Sequence, residues 1–196
     1  SDNRINAAYS FGGMELLDAT IDKNFQISIY GNVEVDFNGF KSAINQIGGV
    51  YVEVNKAEAD FLSKQGYGTI SEGSVYMDGA MALTYARIRN IGNSDRERTE
   101  RQRRVMTAVF EKVKKLDLNE ILDLIDDTLP YVTTDLTNNQ IISLATTLAF
   151  MDIDTIDTYC IPVKGAYEPK KIRGMSVLVP DLVMNRVALR EIIYKE

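Results

Sequence analysis

Hydrophobic residues recur with two different spacings in the first quarter of the chain. Downstream of Gly12, the apolar residues Leu17 and Ile21 lie four positions apart, as on the buried face of an amphipathic helix. Over residues 27–37, valines alternate with acidic residues, and this period of two is typical of a half-buried strand. The alternation then stops, which predicts a helix over residues 38–47.

The remaining pattern continues to mix helices with strands. In chain order it predicts a strand at 50–54, a helix at 56–64, a turn-rich segment at 66–73, a helix at 79–86 with Asp78 as its N-cap, and a long helix opened by Ser94 and Glu97. It then predicts helices at 119–129 and 138–150, the second opened by a capping box of Thr137 and Gln140, strands at 156–163 and 176–179, and a helix at 181–194. Such a mixture favours the α/β class, with a central mixed β-sheet flanked by α-helices in one layered domain. We expect this single domain to cover residues 1–196.

Composition narrows the possible chemistry. A chain of 196 residues, 45% hydrophobic and 26% charged, is typical of one globular domain. Its apolar stretches fall short of the roughly 20 residues that a membrane helix requires, and the first residues do not resemble a signal peptide. We therefore expect a fragment or processed form with any anchor upstream. The absence of histidine excludes Ser-His-Asp catalysis, and the single cysteine, Cys160, is expected in the core.

Positive charge is concentrated in one short segment. Seven of the eleven arginines lie between residues 87 and 104, where only three acidic residues oppose them, in a chain whose net charge is −6. Arg87 and Arg89 would project to one side of an extended backbone, and Arg98, Arg101 and Gln102 share one face of a helix. Guanidinium groups and a helix N-terminus both bind phosphate oxygens, so the two sets are predicted to converge on a pyrophosphate.

Two other interpretations of this segment remain open. The arginines could form a solvated face paired with Glu97, Glu100 and Glu111, and Asp95 could be only a helix cap. Nucleic acid is a second polyanion that arginine clusters bind. It is disfavoured because the acidic pI, near 4.9, would repel a long duplex and the segment lacks interleaved aromatic residues.

The same segment resembles the signature of a known family. Residues 82–89 read Ala-Leu-Thr-Tyr-Ala-Arg-Ile-Arg, and after a polar loop come Asp95, Arg98, Arg101 and Gln102. Earlier blocks in the matching order are Ile5-Asn6-Ala-Ala-Tyr9 with Gly12-Gly13, Val35-Asp36-Phe37 with Gly39-Phe40, and Gly48-Gly49-Val50. This arrangement is similar to that of the LytR-CpsA-Psr family of cell-envelope phosphotransferases.

The resemblance implies an activity and a location. Family members transfer a phosphoglycosyl polymer, of the teichoic acid or capsule type, from a polyprenyl pyrophosphate lipid to peptidoglycan, on the extracytoplasmic face of the membrane, chiefly in Gram-positive bacteria. By resemblance, Arg87, Arg89, Arg98 and Gln102 match its pyrophosphate contacts, and Asp95 matches its conserved acid. The same resemblance implies Mg²⁺ or Mn²⁺ as cofactor and a membrane anchor upstream.

One departure from the family pattern bears on activity. The family's metal-binding aspartates, a further pyrophosphate arginine and the first strands are expected upstream of Ser1. The resemblance therefore implies that this chain is catalytically incomplete by itself. An apolar slot for the lipid is expected among the helices near residues 105–110, 121–129 and 141–150, whose apolar stripes could also be plain core. Two alternatives to the transferase are a noncatalytic module that binds anionic lipid or polymer and regulates envelope synthesis, and a cytoplasmic transcriptional regulator.

Overall fold

A computed structural model describes residues 4–89, 91, 95–151 and 155–194, with the side chain of Asp95 excluded. The chain divides into two compact units, one formed by residues 33–156 and the other by residues 1–32 together with 157–196. The larger unit contains all the residues that the sequence assigns to the candidate site. The single domain over residues 1–196 stays a prediction.

The larger unit alternates short strands with helices. Its elements are β1 (Val33–Val35), α2 (Phe37–Gln46), β2 (Val50–Val54), α3 (Lys56–Lys64), β3 (Gly73–Met77), α4 (Gly79–Ala86), α5 (Asp95–Val113), α6 (Leu118–Thr128), a 3₁₀ turn (Leu129–Tyr131), β4 (Val132–Thr134) and α7 (Asn138–Phe150). The smaller unit contains α1 (Ala7–Phe25), β5 (Tyr167–Ile172), β6 (Met175–Pro180) and α8 (Leu182–Tyr194). The predicted α/β class is confirmed.

The strands differ in their pairing from the predicted central mixed sheet. In the described part of the chain they form three separate two-stranded antiparallel sheets, which pair β1 with β4, β2 with β3, and β5 with β6. An alternating pattern indicates which side of a strand is buried but not which strand lies beside it. The predicted strand at 27–37 is also shorter and more exposed than expected, since only Val33–Val35 pairs.

The core of the larger unit lies on one face of the two-stranded β2–β3 sheet. Val50, Val52 and Val54 of β2 are buried, whereas the residues between them are exposed. The core also includes Ile44 of α2, together with Leu62, Tyr85 and Val105 from the next three helices. The period of two in β2 therefore sets the face against which α2, α3, α4 and α5 bury their apolar side chains.

Side-chain caps define where several helices begin. Asp78 accepts a hydrogen bond from the Met81 amide at 2.8 Å, which confirms its predicted role as the N-cap of α4. Thr137 and Gln140 form the predicted capping box at α7. The cap predicted from Ser94 lies outside the described residues. Because these caps satisfy amides that lack a helical partner, they fix the start of each helix.

The segment before β5 does not form the predicted strand. Residues 155–163 contain no strand, and Cys160 is exposed, so the expectations for both were wrong. The amide of Val163 donates to Oδ1 of the buried Asn185 at 2.9 Å, which removes it from any strand ladder. No helix in the part of the chain that the structure describes has the length and apolarity needed to span a membrane.

Candidate functional site

Arg87 follows the last turn of α4 and is exposed. Its guanidinium carbon lies 4.4 Å from the centroid of the Phe37 ring, in a cation–π contact. Phe37 is held at the start of α2 by Asp36, whose Oδ1 accepts from the amides of Asn38 and Gly39 at 2.8 and 2.7 Å. Because stacking uses the flat face of the guanidinium, the N–H groups around its edge remain able to bind an anion.

Arg89 is exposed as well, and Ile88 between the two arginines is buried at 1% exposure. The backbone at Arg87 is not extended as predicted, since its φ of −99° and ψ of 0° continue the turn that ends α4. The inward side chain of Ile88 nevertheless leaves both arginines on the surface. The first predicted pair is therefore available to a ligand.

The three residues of the second predicted set, all on α5, differ in how deeply they are buried. Arg98 is partly exposed and Gln102 is exposed, both on α5, whereas Arg101 on the same helix is only 2% exposed. Arg103 is partly exposed and forms an ion pair with Glu100, in agreement with the solvated-face interpretation for that residue. The helix thus presents Arg98 and Gln102 outward and directs Arg101 into the unit.

Glu58 occupies the centre of the buried polar cluster that receives Arg101. Its carboxylate is 1% exposed and accepts from Arg101 Nη1 at 3.3 Å and from Arg104 Nη2 at 2.8 Å. It also accepts a hydrogen bond from the Tyr85 hydroxyl and one from the backbone N–H of Asn55, each at 3.1 Å. A single acid on α3 therefore joins two arginines of α5 to the tyrosine of α4.

The charges in this cluster determine its titration. Burial by itself would raise the pKa of Glu58, but hydrogen bonds from Arg104 and from the Asn55 amide, together with the nearby positive charges, outweigh burial and lower that pKa. Burial and the neighbouring Glu58 carboxylate raise the pKa of Tyr85. Glu58 is therefore ionised at neutral pH, and the Tyr85 hydroxyl keeps its proton.

Asp95, the predicted catalytic residue, is the first residue of α5, and its side chain lies outside the described part. Among the described residues, no group of three or more Asp, Glu or Cys side chains gathers to hold a metal ion.

An apolar cavity of about 310 Å³ lies in the same unit. It is lined mainly by residues of α6 and α7, namely Ile121, Leu124, Ile125, Ile141, Leu144 and Leu148. Val33 of β1 and Val132 of β4 complete one wall, and Val113 is the contribution of α5. The slot expected along residues 121–129 and 141–150 is present, whereas Val105 of the expected segment 105–110 is buried in the core instead.

Sequence reasoning missed Glu58 and Tyr85. Glu58 could have been recognised as the third residue of a capping box opened by Asn55, and the structure contains that box. Nothing in a capping pattern indicates that the same carboxylate also binds two arginines more than forty positions away. Tyr85 falls within the residues 82–89 that carry the family resemblance, but the partner of its hydroxyl is not visible in the sequence.

Comparison with known proteins places the chain in a family. A sequence model described as the LytR_cpsA_psr family matches residues 1–187. The chain belongs to this family. One relative, the polyisoprenyl-teichoic acid–peptidoglycan teichoic acid transferase TagU of Enterococcus faecalis, is 32% identical over 195 residues, which are 97% of this chain and 58% of TagU.

Two comparisons concern TagV of Bacillus subtilis. The TagV sequence carries the same transferase name and is 37% identical over 119 residues, which are 58% of this chain and 30% of TagV. Its crystal structure superposes with a TM-score of 0.73 at 27% identity and covers 96% of this chain and 74% of the TagV structure. The alignments thus span less than two thirds of either full relative, while the family fold extends over nearly the whole chain described here.

Proposed function

We propose that this chain is the catalytic domain of a transferase that moves a phosphoglycosyl polymer, of the teichoic acid or capsule type, from a polyprenyl pyrophosphate lipid to peptidoglycan. The observation that carries the proposal is the presence of an exposed arginine group and an apolar cavity in one compact unit. A polyprenyl pyrophosphate has two matching parts, an anionic headgroup that would bind the arginines and a hydrocarbon tail that would fill the cavity. The transferase names of TagU and TagV support the same reaction class.

The headgroup would be bound by Arg87, Arg89, Arg98 and Gln102. Their guanidinium and amide groups are hydrogen-bond donors, and charge-assisted bonds from arginine to phosphate oxygens are among the strongest in proteins. Arg101, which the sequence placed in this set, is buried with its guanidinium bonded to Glu58 and to backbone carbonyls. We therefore assign Arg101 a role other than direct contact.

Connectivity within the unit supports a continuous site. Val33 lines the cavity, and Phe37, on which Arg87 stacks, is four residues further along the chain. Four residues span at most about 14 Å even when fully extended. A lipid whose tail fills the cavity near Val33 would therefore place its pyrophosphate within reach of Arg87.

The chemistry proposed for this site is phosphoryl transfer. A sugar hydroxyl of peptidoglycan attacks the phosphorus that carries the polymer, a new P–O bond forms, and the bond to the bridging oxygen breaks to release polyprenyl phosphate. The arginines stabilise the charge that grows on the phosphate oxygens. Asp95 is proposed as the base that accepts the hydroxyl proton. Mg²⁺ or Mn²⁺ remains part of the proposal by family resemblance, and no step is derived through it.

The proposed setting is the extracytoplasmic face of a bacterial membrane of the Gram-positive type. The donor is a membrane lipid and the acceptor is cell wall, so the protein must act where the two meet. An anchor upstream of Ser1 belongs to the same proposal.

Transfer itself tests the proposal. The whole protein, supplied with magnesium, a polyprenyl pyrophosphate-linked glycopolymer and peptidoglycan, should release polyprenyl phosphate and attach polymer to the wall. Tight donor binding without any attached polymer would instead favour the noncatalytic lipid- or polymer-binding module.

A further inference from the structure

The guanidinium of Arg101 joins the helix that carries it to the backbone beside Arg87 and Arg89. Its Nη2 donates to the carbonyl oxygen of Ile88 at 3.0 Å and to that of Ile91 at 3.4 Å. Ile88 stands between the two exposed arginines in sequence. A side chain of α5 therefore holds the backbone from which the first pair of proposed pyrophosphate ligands projects.

This buried cation requires a counter-charge. Arg101 and Glu58 are only 2% and 1% exposed, so neither can rely on water to stabilise its charge. Their side chains pair at 3.3 Å. Without Glu58, the Arg101 guanidinium would remain buried with no acid beside it, and its hold on the carbonyls of Ile88 and Ile91 would be weakened.

A second arginine extends the cluster to more of the unit. Arg104 Nη2 pairs with Glu58 at 2.8 Å, and its Nη1 donates to the backbone oxygen of Glu53 in β2 at 2.6 Å. The guanidinium carbon of Arg104 also lies 5.5 Å from the centroid of the Tyr85 ring. The cluster thus links β2, α3, α4 and α5, which are the elements that carry or border the exposed arginines.

We infer that Glu58 and Arg101 are positioning residues of the pyrophosphate site, which hold the backbone after α4 against α5 so that Arg87, Arg89 and Arg98 face one ligand. This inference rests on the proposed function. It assigns a role to two buried residues that do not themselves contact the donor.

The inference predicts that Glu58→Gln weakens anion binding, whereas electrostatics alone predicts that it strengthens anion binding. The change Glu58→Gln removes a negative charge near a site for an anion, which alone would strengthen anion binding. If Glu58 positions the site, the same change weakens binding because the arginines lose their common geometry. We expect geranyl pyrophosphate to bind about tenfold more weakly, which is the equivalent of about 1.4 kcal/mol.

The experiment measures geranyl pyrophosphate binding by calorimetry on the whole protein, with melting measured in parallel. The double variant Glu58→Gln with Arg101→Met removes the fully buried cation that Glu58→Gln alone leaves unpaired, and Arg104, whose side chain is 29% exposed, can be solvated. Stability should therefore return towards wild type while binding remains about tenfold weak. The matched control is Val52→Ala, which opens the same core outside the polar cluster. It should lower the melting temperature and leave the dissociation constant unchanged.

A milder variant keeps the test decisive if the others fold poorly. Arg101→Lys retains the charge but lacks the forked donors that reach Glu58 and Ile88 together, so binding should weaken several-fold. Unchanged or tighter binding in Glu58→Gln and Arg101→Lys, with Arg87→Ala still weak, would overturn the positioning role alone. Recovery of binding together with stability in the double variant would also overturn it. Wild-type protein that does not bind geranyl pyrophosphate would overturn the proposed function as well.

Discussion

The arginines of residues 87–104 differ in exposure, and therefore in whether they can bind a ligand. Arg87 and Arg89 are exposed, whereas Arg101 is 2% exposed and Arg104 gives most of its donors to Glu58 and a backbone carbonyl. An arginine whose donors already have protein acceptors cannot offer them to a ligand without breaking those bonds. The existing contacts of each guanidinium therefore determine whether that arginine can bind a ligand or can only hold the protein together.

Replacing an arginine of the proposed headgroup site should weaken binding more than it affects folding. Arg87→Ala and Arg98→Ala each remove a charged donor, and hydrogen bonds to charged groups contribute about 1.5–3 kcal/mol. We expect each variant to bind geranyl pyrophosphate roughly ten- to a hundredfold more weakly. The free energy of unfolding, followed by thermal melting, should change by less than about 0.5 kcal/mol. Arg190→Ala, on the exposed surface of α8, is the control for loss of one positive charge. A large loss of stability with intact binding would contradict the assignment.

The buried acid should make stability depend on pH. The pKa of Glu58 is lowered in the folded protein, so its ionisation contributes stability that is complete above the ordinary glutamate value of about 4.3. That contribution is lost as the pH falls through the lower folded value. Thermal melts from pH 7 to pH 3 should therefore show a steeper acid-side decline for wild type than for Glu58→Gln. Parallel declines in the two proteins would contradict this role.

Helix ends and strands differ in how well the sequence predicts them. The starts of α4 and α7 follow from Asp78 and Thr137, because an N-capping residue acts on amides within three positions of itself. Strand pairing also depends on contacts between distant segments, such as that of β1 with β4. The described strands form three two-stranded sheets instead of the expected central sheet. β5 was missed because its middle residues are charged or proline and are exposed, so it has no apolar alternation.

The contact between α2 and α4 depends on one glycine. A Cβ at Gly79 would collide with the backbone of Lys41 in α2, which cannot move as a flexible side chain can. Gly79→Ala should therefore push the two helices apart and destabilise the protein by about 1–3 kcal/mol, as overpacking does. Denaturant unfolding measures this. An unchanged free energy of unfolding in Gly79→Ala would argue against close helix packing.

The cavity between α6 and α7 should select for the hydrocarbon tail. Ala145 is buried and lines it, so Ala145→Leu would fill part of the space. Affinity for geranyl pyrophosphate should fall, at about 0.8 kcal/mol for each methylene that can no longer be buried, while affinity for inorganic pyrophosphate stays the same. Calorimetry with both ligands measures the difference. Equal weakening of the two ligands would show that the tail does not lie in this cavity.

At the scale of the whole molecule, the candidate site belongs to the unit formed by residues 33–156. The sequence predicted the family, the arginine segment and two of the helices that line the cavity, because charge clusters and apolar stripes are visible in one dimension. It did not predict that Glu58 binds the buried Arg101, or that Cys160 is exposed. Both depend on which distant segments pack together, and no local pattern encodes that.

The central claim is that the exposed arginines and the apolar cavity bind the two ends of one lipid. A crystal structure of the whole protein with geranyl pyrophosphate tests it most directly. We predict the pyrophosphate within hydrogen-bond distance of Arg87 and Arg98, with the prenyl tail between α6 and α7. A pyrophosphate bound elsewhere, or a tail outside that cavity, would contradict the account.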